Sequence, residues 1–194
     1  MPEPLPNLEI HPLTPERFPD LETLFGPSGA SSGCWCMWWR ASSADYDQNH
    51  GEPNRLAFKS VVASGAHTGL LAYQAGQPVG WVSFAPREDF PRLERSRTLP
   101  RVDDQPVWSI VCFFISRKAR RRGMSAALIE SAVKFAAERD AAIVEAYPVD
   151  RGQEPLSPGD FTGALQTFLE LGFVEVARHS PKRPIVRKTL IPAA

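Results

Sequence analysis

Hydrophobic positions along the chain alternate in some stretches and recur every three or four residues in others, and the switches between these two periods outline its elements. Leu8-Glu9-Ile10 alternates as a first strand, and Thr14-Pro15-Glu16 then supplies a cap, a proline at the first helical position and an early acid. Phe18, Leu21 and Phe25 recur at helical spacing until Gly26-Pro27 ends the helix. Residues 53–64 read as a second helix closed by Gly65, and residues 68–74 and 78–84 flank Ala75-Gly76-Gln77 as an antiparallel hairpin. After a polar, proline-punctuated crossing over 85–105, Val107 to Ile115 is an almost unbroken apolar run, which predicts a central strand buried on both faces. Met124 to Arg139 is the clearest helix, with Met124, Ala127, Leu128, Ala132 and Phe135 along one side. Ala142 to Tyr147 is a strand ended by Pro148, and Phe161 to Leu171 a helix with Asp160 as its cap and Gly172 at its end. Residues 173–178 and 185–189 close the chain as two strands. This order predicts an α/β fold, a mixed sheet in one layer with helices on both faces, formed by a single domain over residues 1–194.

Composition bears on partners more than on fold. The 22 basic and 22 acidic side chains cancel, so no overall field draws the molecule to nucleic acid or to an anionic membrane, and a polyanion has to be held locally. No apolar run approaches the roughly 18 residues that span a bilayer. The first ten residues also lack the basic and apolar regions of a secretion signal. Three cysteines are an odd number and too few for a disulfide framework, which fits a reducing compartment. The expectation is a cytoplasmic protein with no nucleic-acid or membrane partner, and a homodimer stays open.

Arg117, Lys118, Arg120, Arg121 and Arg122 put five cations into six positions where the helix beginning near Met124 opens. The helix dipole already places about half a positive charge there, and no Ser, Thr, Asp or Asn stands immediately before the first turn to cap it. Such a start suits an anion. Gly123 allows a close backbone turn, so that the N–H groups of Arg122, Gly123, Met124, Ser125 and Ala126 converge on a phosphate with the arginines around it. A solvated basic turn is the plainer alternative.

Read as strand, basic glycine turn and helix, this stretch resembles the acyl-CoA pyrophosphate loop of the GNAT superfamily of N-acetyltransferases. That family's pattern is Arg or Gln, two residues, Gly, one residue, then Gly or Ala. Here Arg120, Arg121, Arg122, Gly123 and Met124 follow it, and Ser125 departs from the last position. Phe168, followed by Gly172-Phe173, resembles the family's last helix and strand, and the segment order over residues 8–190 is similar throughout. A branch of the family also shares Tyr147-Pro148-Val149-Asp150 and Phe161-Thr162-Gly163. The resemblance implies a twisted, mostly antiparallel sheet of about seven strands. It also implies acetyl-CoA as donor, and direct attack by a primary amine of a small molecule or a protein within a ternary complex. The strand around Phe113, Phe114 and Ile115 is then expected to offer backbone hydrogen bonds to the pantetheine arm and the thioester oxygen. The tyrosine that family members often use as proton donor is Phe168 here, and the carboxylate that some branches use as base is Ser109. Tyr147 is the expected substitute donor, with Glu145 at the same strand parity as a relay. A non-catalytic acyl-CoA sensor remains the alternative.

One stretch belongs to none of these patterns. "GCWCMWWR", Gly33 to Arg40, holds two cysteines and three of the five tryptophans. Coiled as a helix, it sets Trp35, Trp38 and Trp39 on one face and points Cys34 and Cys36 apart; extended, it puts both cysteines on one face, as a metal or redox clip needs. The resemblance places the stretch in the loop that forms the acceptor pocket, so Trp35, Trp38, Trp39 and Arg40 are expected to contact the acceptor, the arginine through a carboxylate.

Overall fold

The computed structural model describes residues 6–152, 154–155, 157 and 159–190. Its seven strands are β1 (Leu8–Pro12), β2 (Gly69–Gln74), β3 (Gln77–Pro86), β4 (Trp108–Ile115), β5 (Ile143–Ala146), β6 (Val174–Arg178) and β7 (Pro184–Thr189). They form one sheet in the order β1-β2-β3-β4-β5-β7-β6. Only the β4–β5 pairing is parallel; every other neighbour runs antiparallel. The β2–β3 turn consists of Ala75 and Gly76, both at positive φ (50° and 72°), the twist that two-residue hairpins favour.

The helices are α1 (Phe18–Phe25), α2 (Ser43–Gln48), α3 (Glu52–Ala63), α4 (Pro91–Glu94), α5 (Met124–Ala137) and α6 (Leu165–Glu170). On one face of the sheet, Phe18, Leu21 and Phe25 of α1 and Phe58 of α3 bury Leu71, Tyr73 and Trp81. On the other face, Met124, Leu128 and Ala132 of α5 and Phe168 of α6 cover Ala72, Val82, Phe84, Ile110 and Val144. Helices therefore flank the sheet on both sides, as the pattern of periods predicts. Gly80 makes room for the start of α5, since a Cβ there would lie 3.3 Å from the Cγ and Sδ of Met124.

Four sequence expectations need correcting. The first helix opens as a single 3-10 turn, Pro15–Arg17, before α1 begins at Phe18. The crossing after β3 carries α4, which the pattern does not reveal. Strand β4 is buried on both faces only over Ser109, Ile110 and Val111; Cys112 to Ile115 are half-buried, because β5 accompanies β4 only from Trp108 to Ile110. The last helix begins at Leu165 rather than Phe161. Asp160 does not cap it but binds the Arg151 guanidinium and the Ser157 N–H, while Phe161 and Thr162 form a turn, Gly163 has positive φ (86°) and Ala164 makes a bridge to Val149. There the Phe113 N–H donates to the Phe161 carbonyl (2.7 Å) and the Val149 N–H to the Gly163 carbonyl (2.8 Å), so the two stretches singled out in sequence, 147–150 and 161–163, meet.

Candidate functional site

Strand β4 ends at a gap. Ser83 lies opposite Cys112 but Phe84 lies opposite Ile110, so Val111 is an extra residue, a bulge that turns the strand just where β5 leaves it. Beyond the bulge the two edges of β4 alternate in direction. Ser116 donates to Val79 on β3, and by the same parity Phe114 faces β3, whereas the backbone groups of Phe113 and Ile115 face the gap. The Phe113 N–H is taken by Phe161, and the Ile115 carbonyl accepts from Arg120 Nε at 2.9 Å. Of the three residues expected to bind pantetheine through their backbone, Phe114 is turned away from the gap, and the Phe113 carbonyl and the Ile115 N–H are the groups left facing it.

Nine residues beyond Ile115, α5 starts without a cap. Gly123 stands in the left-handed conformation (φ 80°) as its N-cap, no side chain bonds its free N–H groups, and no acid lies in its first turn. Arg121 also has positive φ (60°). Arg117, Lys118, Arg120, Arg121 and Arg122 are exposed, and none of them joins an ion pair among the described residues. Met124 points its side chain into the core, so only its N–H is available at the turn. Free helix N–H groups beside unneutralised guanidinium groups fit a pyrophosphate. Arg120 links the two features, since its guanidinium is bonded through Nε to the last residue of β4 and it stands three residues before Gly123, the N-cap of α5.

A cavity of about 480 Å³ lies beside the bulge, between the Trp38–Ser43 stretch, the Arg92–Leu99 segment, Phe161 and Arg183. Two hydrogen bonds tie its wall to β4: Trp39 Nε1 donates to the Val111 carbonyl (3.1 Å), and the carbonyl of Phe161 accepts from Phe113. Trp38 is 37% exposed, edge-on to Tyr46 and covered by the Arg92 guanidinium at 3.8 Å from its ring centre.

The tryptophan stretch is neither helix nor strand. Residues 29 to 36 turn repeatedly, with Ala30, Ser32, Gly33, Trp35 and Cys36 all at positive φ, and this sends the three indoles to three places. Trp38 and Trp39 line the cavity. Trp35 does not: it is 6% exposed, packed on Phe25 in the α1 core. Arg40 does not line it either, since it lies over Phe90 (4.6 Å) and donates to the His67 carbonyl (3.2 Å). Cys36 is buried and accepts from Trp81 Nε1 (3.0 Å), while Cys34 donates to the Gly29 carbonyl. Burial pushes the Cys34 thiol up to about 11 and that of Cys36 well above its ordinary value, the reverse of what a thiolate ligand or redox pair needs. Among the described residues no three His, Cys, Asp or Glu side chains gather to hold a metal.

The sequence of residues 35–154 matches the model of the acetyltransferase (GNAT) family. The chain belongs to that family. Solved structures agree in fold. A PaiA N-acetyltransferase of Thermoplasma acidophilum, crystallised with coenzyme A, is 12% identical with a TM-score of 0.54, covering 94% of this chain and 99% of its own. A protein of Corynebacterium glutamicum described as histone acetyltransferase HPA2 and related acetyltransferase is 18% identical (TM-score 0.57; 97% and 99% covered). A ribosomal-protein-alanine N-acetyltransferase of Brucella melitensis is 17% identical (TM-score 0.52; 94% and 99% covered). No curated protein sequence matches significantly.

Within this GNAT frame, the residues expected as proton donor and relay stand in an unexpected setting. Glu145 and Tyr147 are fully buried on the face of β5 opposite α5. Glu145 accepts from Arg87 (2.7 Å) and from Arg187 (2.7 Å); Arg87 continues to Glu94 (2.6 Å) and Arg101, and Arg187 to Asp103 (2.6 Å). The result is an alternating chain, Arg101–Glu94–Arg87–Glu145–Arg187–Asp103, of zero net charge. The Tyr147 hydroxyl lies inside it, donating to Glu145 (2.6 Å), accepting from Arg87 (2.9 Å) and 2.8 Å from Ser109 Oγ. Burial first, and the Glu145 charge second, hold that phenol well above its ordinary pKa. Neither residue lines the cavity. Arg87 also donates to the Leu99 carbonyl (2.8 Å), so the chain fastens the Arg92–Leu99 wall to the sheet. Phe168 is buried between Phe113 and Phe173 and has no proton to give.

The polar crossing, read from sequence as a connection, thus supplies half of the cavity. Its one usable signal is Pro91-Arg92-Leu93-Glu94-Arg95, a short helical turn that puts Arg92 and Arg95 three apart on one side.

Proposed function

We propose that the protein transfers an acetyl group from acetyl-CoA to a primary amine that occupies the cavity beside Trp38 and Trp39. The observation that carries this reading is the α5 start: an uncapped helix with five unpaired cations, at the end of a strand whose gap-facing edge has lost its partner. Arg120, Arg121 and Arg122 and the N–H groups of Gly123 to Ala126 hold the pyrophosphate, and the Phe113 carbonyl and Ile115 N–H receive the amides of the pantetheine arm. Bound there, acetyl-CoA supplies an electrophilic thioester carbonyl. Trp39 and Phe161, both bonded to β4, then hold the amine close to the bulge and keep bulk water off it. In the net reaction an N–C bond forms and the C–S bond breaks, and one proton passes from the nitrogen to the sulfur. Glu145 and Tyr147 act at one remove, as positioning residues that fix the cavity wall through the charge chain.

The test is calorimetry with coenzyme A on the native protein and on R121E/R122E. The expected result is binding that the double substitution weakens at least ~10-fold, which corresponds to about 1.4 kcal/mol. Absence of binding to the native protein at millimolar ligand overturns the reading. Because the family resemblance puts Phe168 at a position where members often use a tyrosine, a sensor that binds without turnover is the second reading, and release of free thiol in the presence of amines distinguishes the two.

A further inference from the structure

The cavity is lined by cations. Arg92, Arg95 and Arg183 face it, no Asp or Glu does among the described residues, and none of the three arginines takes part in an ion pair there. Their donors are unspent. The Nε and one terminal nitrogen of Arg92, and the Nε of Arg183, are buried with no hydrogen-bond partner, and Arg183 has one bond, to the Tyr147 carbonyl (3.2 Å). A buried unpaired donor costs free energy that an arriving acceptor oxygen recovers, and a guanidinium fork suits a planar carboxylate. Asp160, the acid whose charge acts on Arg183, is committed to Arg151. Burial disfavours the Arg183 charge, so an anion beside it offsets that cost.

The remaining walls are the apolar surfaces of Trp38, Trp39, Phe161 and Leu99, with the small hydroxyl side chains of Ser42, Ser43, Ser96 and Thr98 among them. Aromatic and aliphatic surface beside three guanidinium groups calls for a ligand with an apolar body and an anionic head. A free ammonium is unwelcome there: nearby positive charge favours the neutral amine, which is the nucleophilic form.

We infer that the acceptor is a small amino acid, a primary amine carrying a carboxylate that Arg92 and Arg183 hold and an apolar or aromatic side chain that rests on Trp38 and Phe161. This rests on the acetyltransferase reading only in calling the ligand an acceptor; the cavity's preference for a carboxylate is a separate property. Acetylation then balances as an amino acid and acetyl-CoA giving the N-acetyl amino acid and free coenzyme A.

The experiment is calorimetry in the presence and absence of coenzyme A, using phenylalanine, tryptophan and leucine, each paired with the amine that lacks its carboxylate: phenethylamine, tryptamine and isoamylamine. The expected result is that at least one amino acid binds ten or more times tighter than its partner amine, a factor typical of one charge-assisted hydrogen bond pair. R92Q and R183Q, checked for native circular dichroism and unfolding midpoint, remove that preference, and R92K keeps part of it. Equal or tighter binding of the amines overturns the inference, as does no binding of any amino acid at millimolar concentration, or a preference that survives in R92Q/R183Q. Coenzyme A binding in the same samples reports separately on the acetyltransferase reading, so a protein that binds coenzyme A but no carboxylate refutes this inference alone.

Discussion

Glu145 shows how far a single residue can depart from what its sequence context suggests. A lone glutamate in a strand reads as solvated, yet Arg87 and Arg187, which neutralise it, are far away in sequence and come together only when β3, β5 and β7 are assembled. Removing one member of a buried ionic set leaves the others uncompensated. Glu145→Ala is therefore expected to cost about 3–5 kcal/mol in urea unfolding, because it removes the fully buried carboxylate that Arg87 and Arg187 share and leaves each with one acid in place of two. Tyr147→Phe removes only a hydroxyl and is expected to cost about 1 kcal/mol while leaving kcat within roughly threefold. A fall in kcat of two orders of magnitude, the size typical of a lost general acid, would return Tyr147 to the role of donor. Trp38 and Trp39, expected from the resemblance to line a pocket, do line the cavity; the loss of Trp35 to the core was not legible, since positive φ at Trp35 and Cys36 leaves no trace in a hydrophobic pattern.

At the scale of elements, what the sequence made visible was what repeats. The α5 helix, the β2–β3 hairpin and the β4 run each carry one period over many residues, and each stands within a residue or two of its expected place. The six-residue α2 and the four-residue α4 are too short and polar for any period to register. The uncapped start of α5 was legible because a capping residue is a matter of identity at one position. Its depth is set by Gly80 on the neighbouring strand. Gly80→Ala puts a methyl group 3.3 Å from Met124 in the first turn of α5. It is expected to destabilise by about 1–3 kcal/mol and to weaken coenzyme A binding as the turn shifts. Loss of stability in urea with unchanged coenzyme A affinity would show that the phosphate turn moves independently of its helix.

The molecule as a whole has no net formal charge, and no helix among the described residues is long and apolar enough to cross a membrane. Part of its response to pH lies on the alkaline side. All three tyrosines are held above their ordinary pKa, Tyr46 at about 12 through burial, Tyr73 through burial and its bond to Asp20, and Tyr147 most completely enclosed; Cys34 and Cys36 are held up by burial as well. Each group keeps its proton more tightly folded than unfolded. The stability they contribute is therefore complete below the unfolded values, about 8.5 for cysteine and about 10 for tyrosine, and is lost as pH rises through these toward the folded values. Urea midpoints are expected to hold steady from pH 7 to 8 and to fall progressively between pH 9 and 11; a flat profile across that range would contradict the burial of these groups.

The walls of the cavity have a common origin: Trp38 and Trp39 precede α2, Arg92 to Leu99 lie between β3 and β4, Phe161 between β5 and α6, and Arg183 between β6 and β7. All lie in segments that join one strand of the sheet to the next, α4 included. The cradle proposed for the donor, by contrast, is built on β4 and α5, whose geometry the core fixes. Inheritance can therefore act on the two halves separately: descendants of this chain can lengthen, shorten or recharge four connections and so reshape the cavity, while β4 and the start of α5 pass on unaltered.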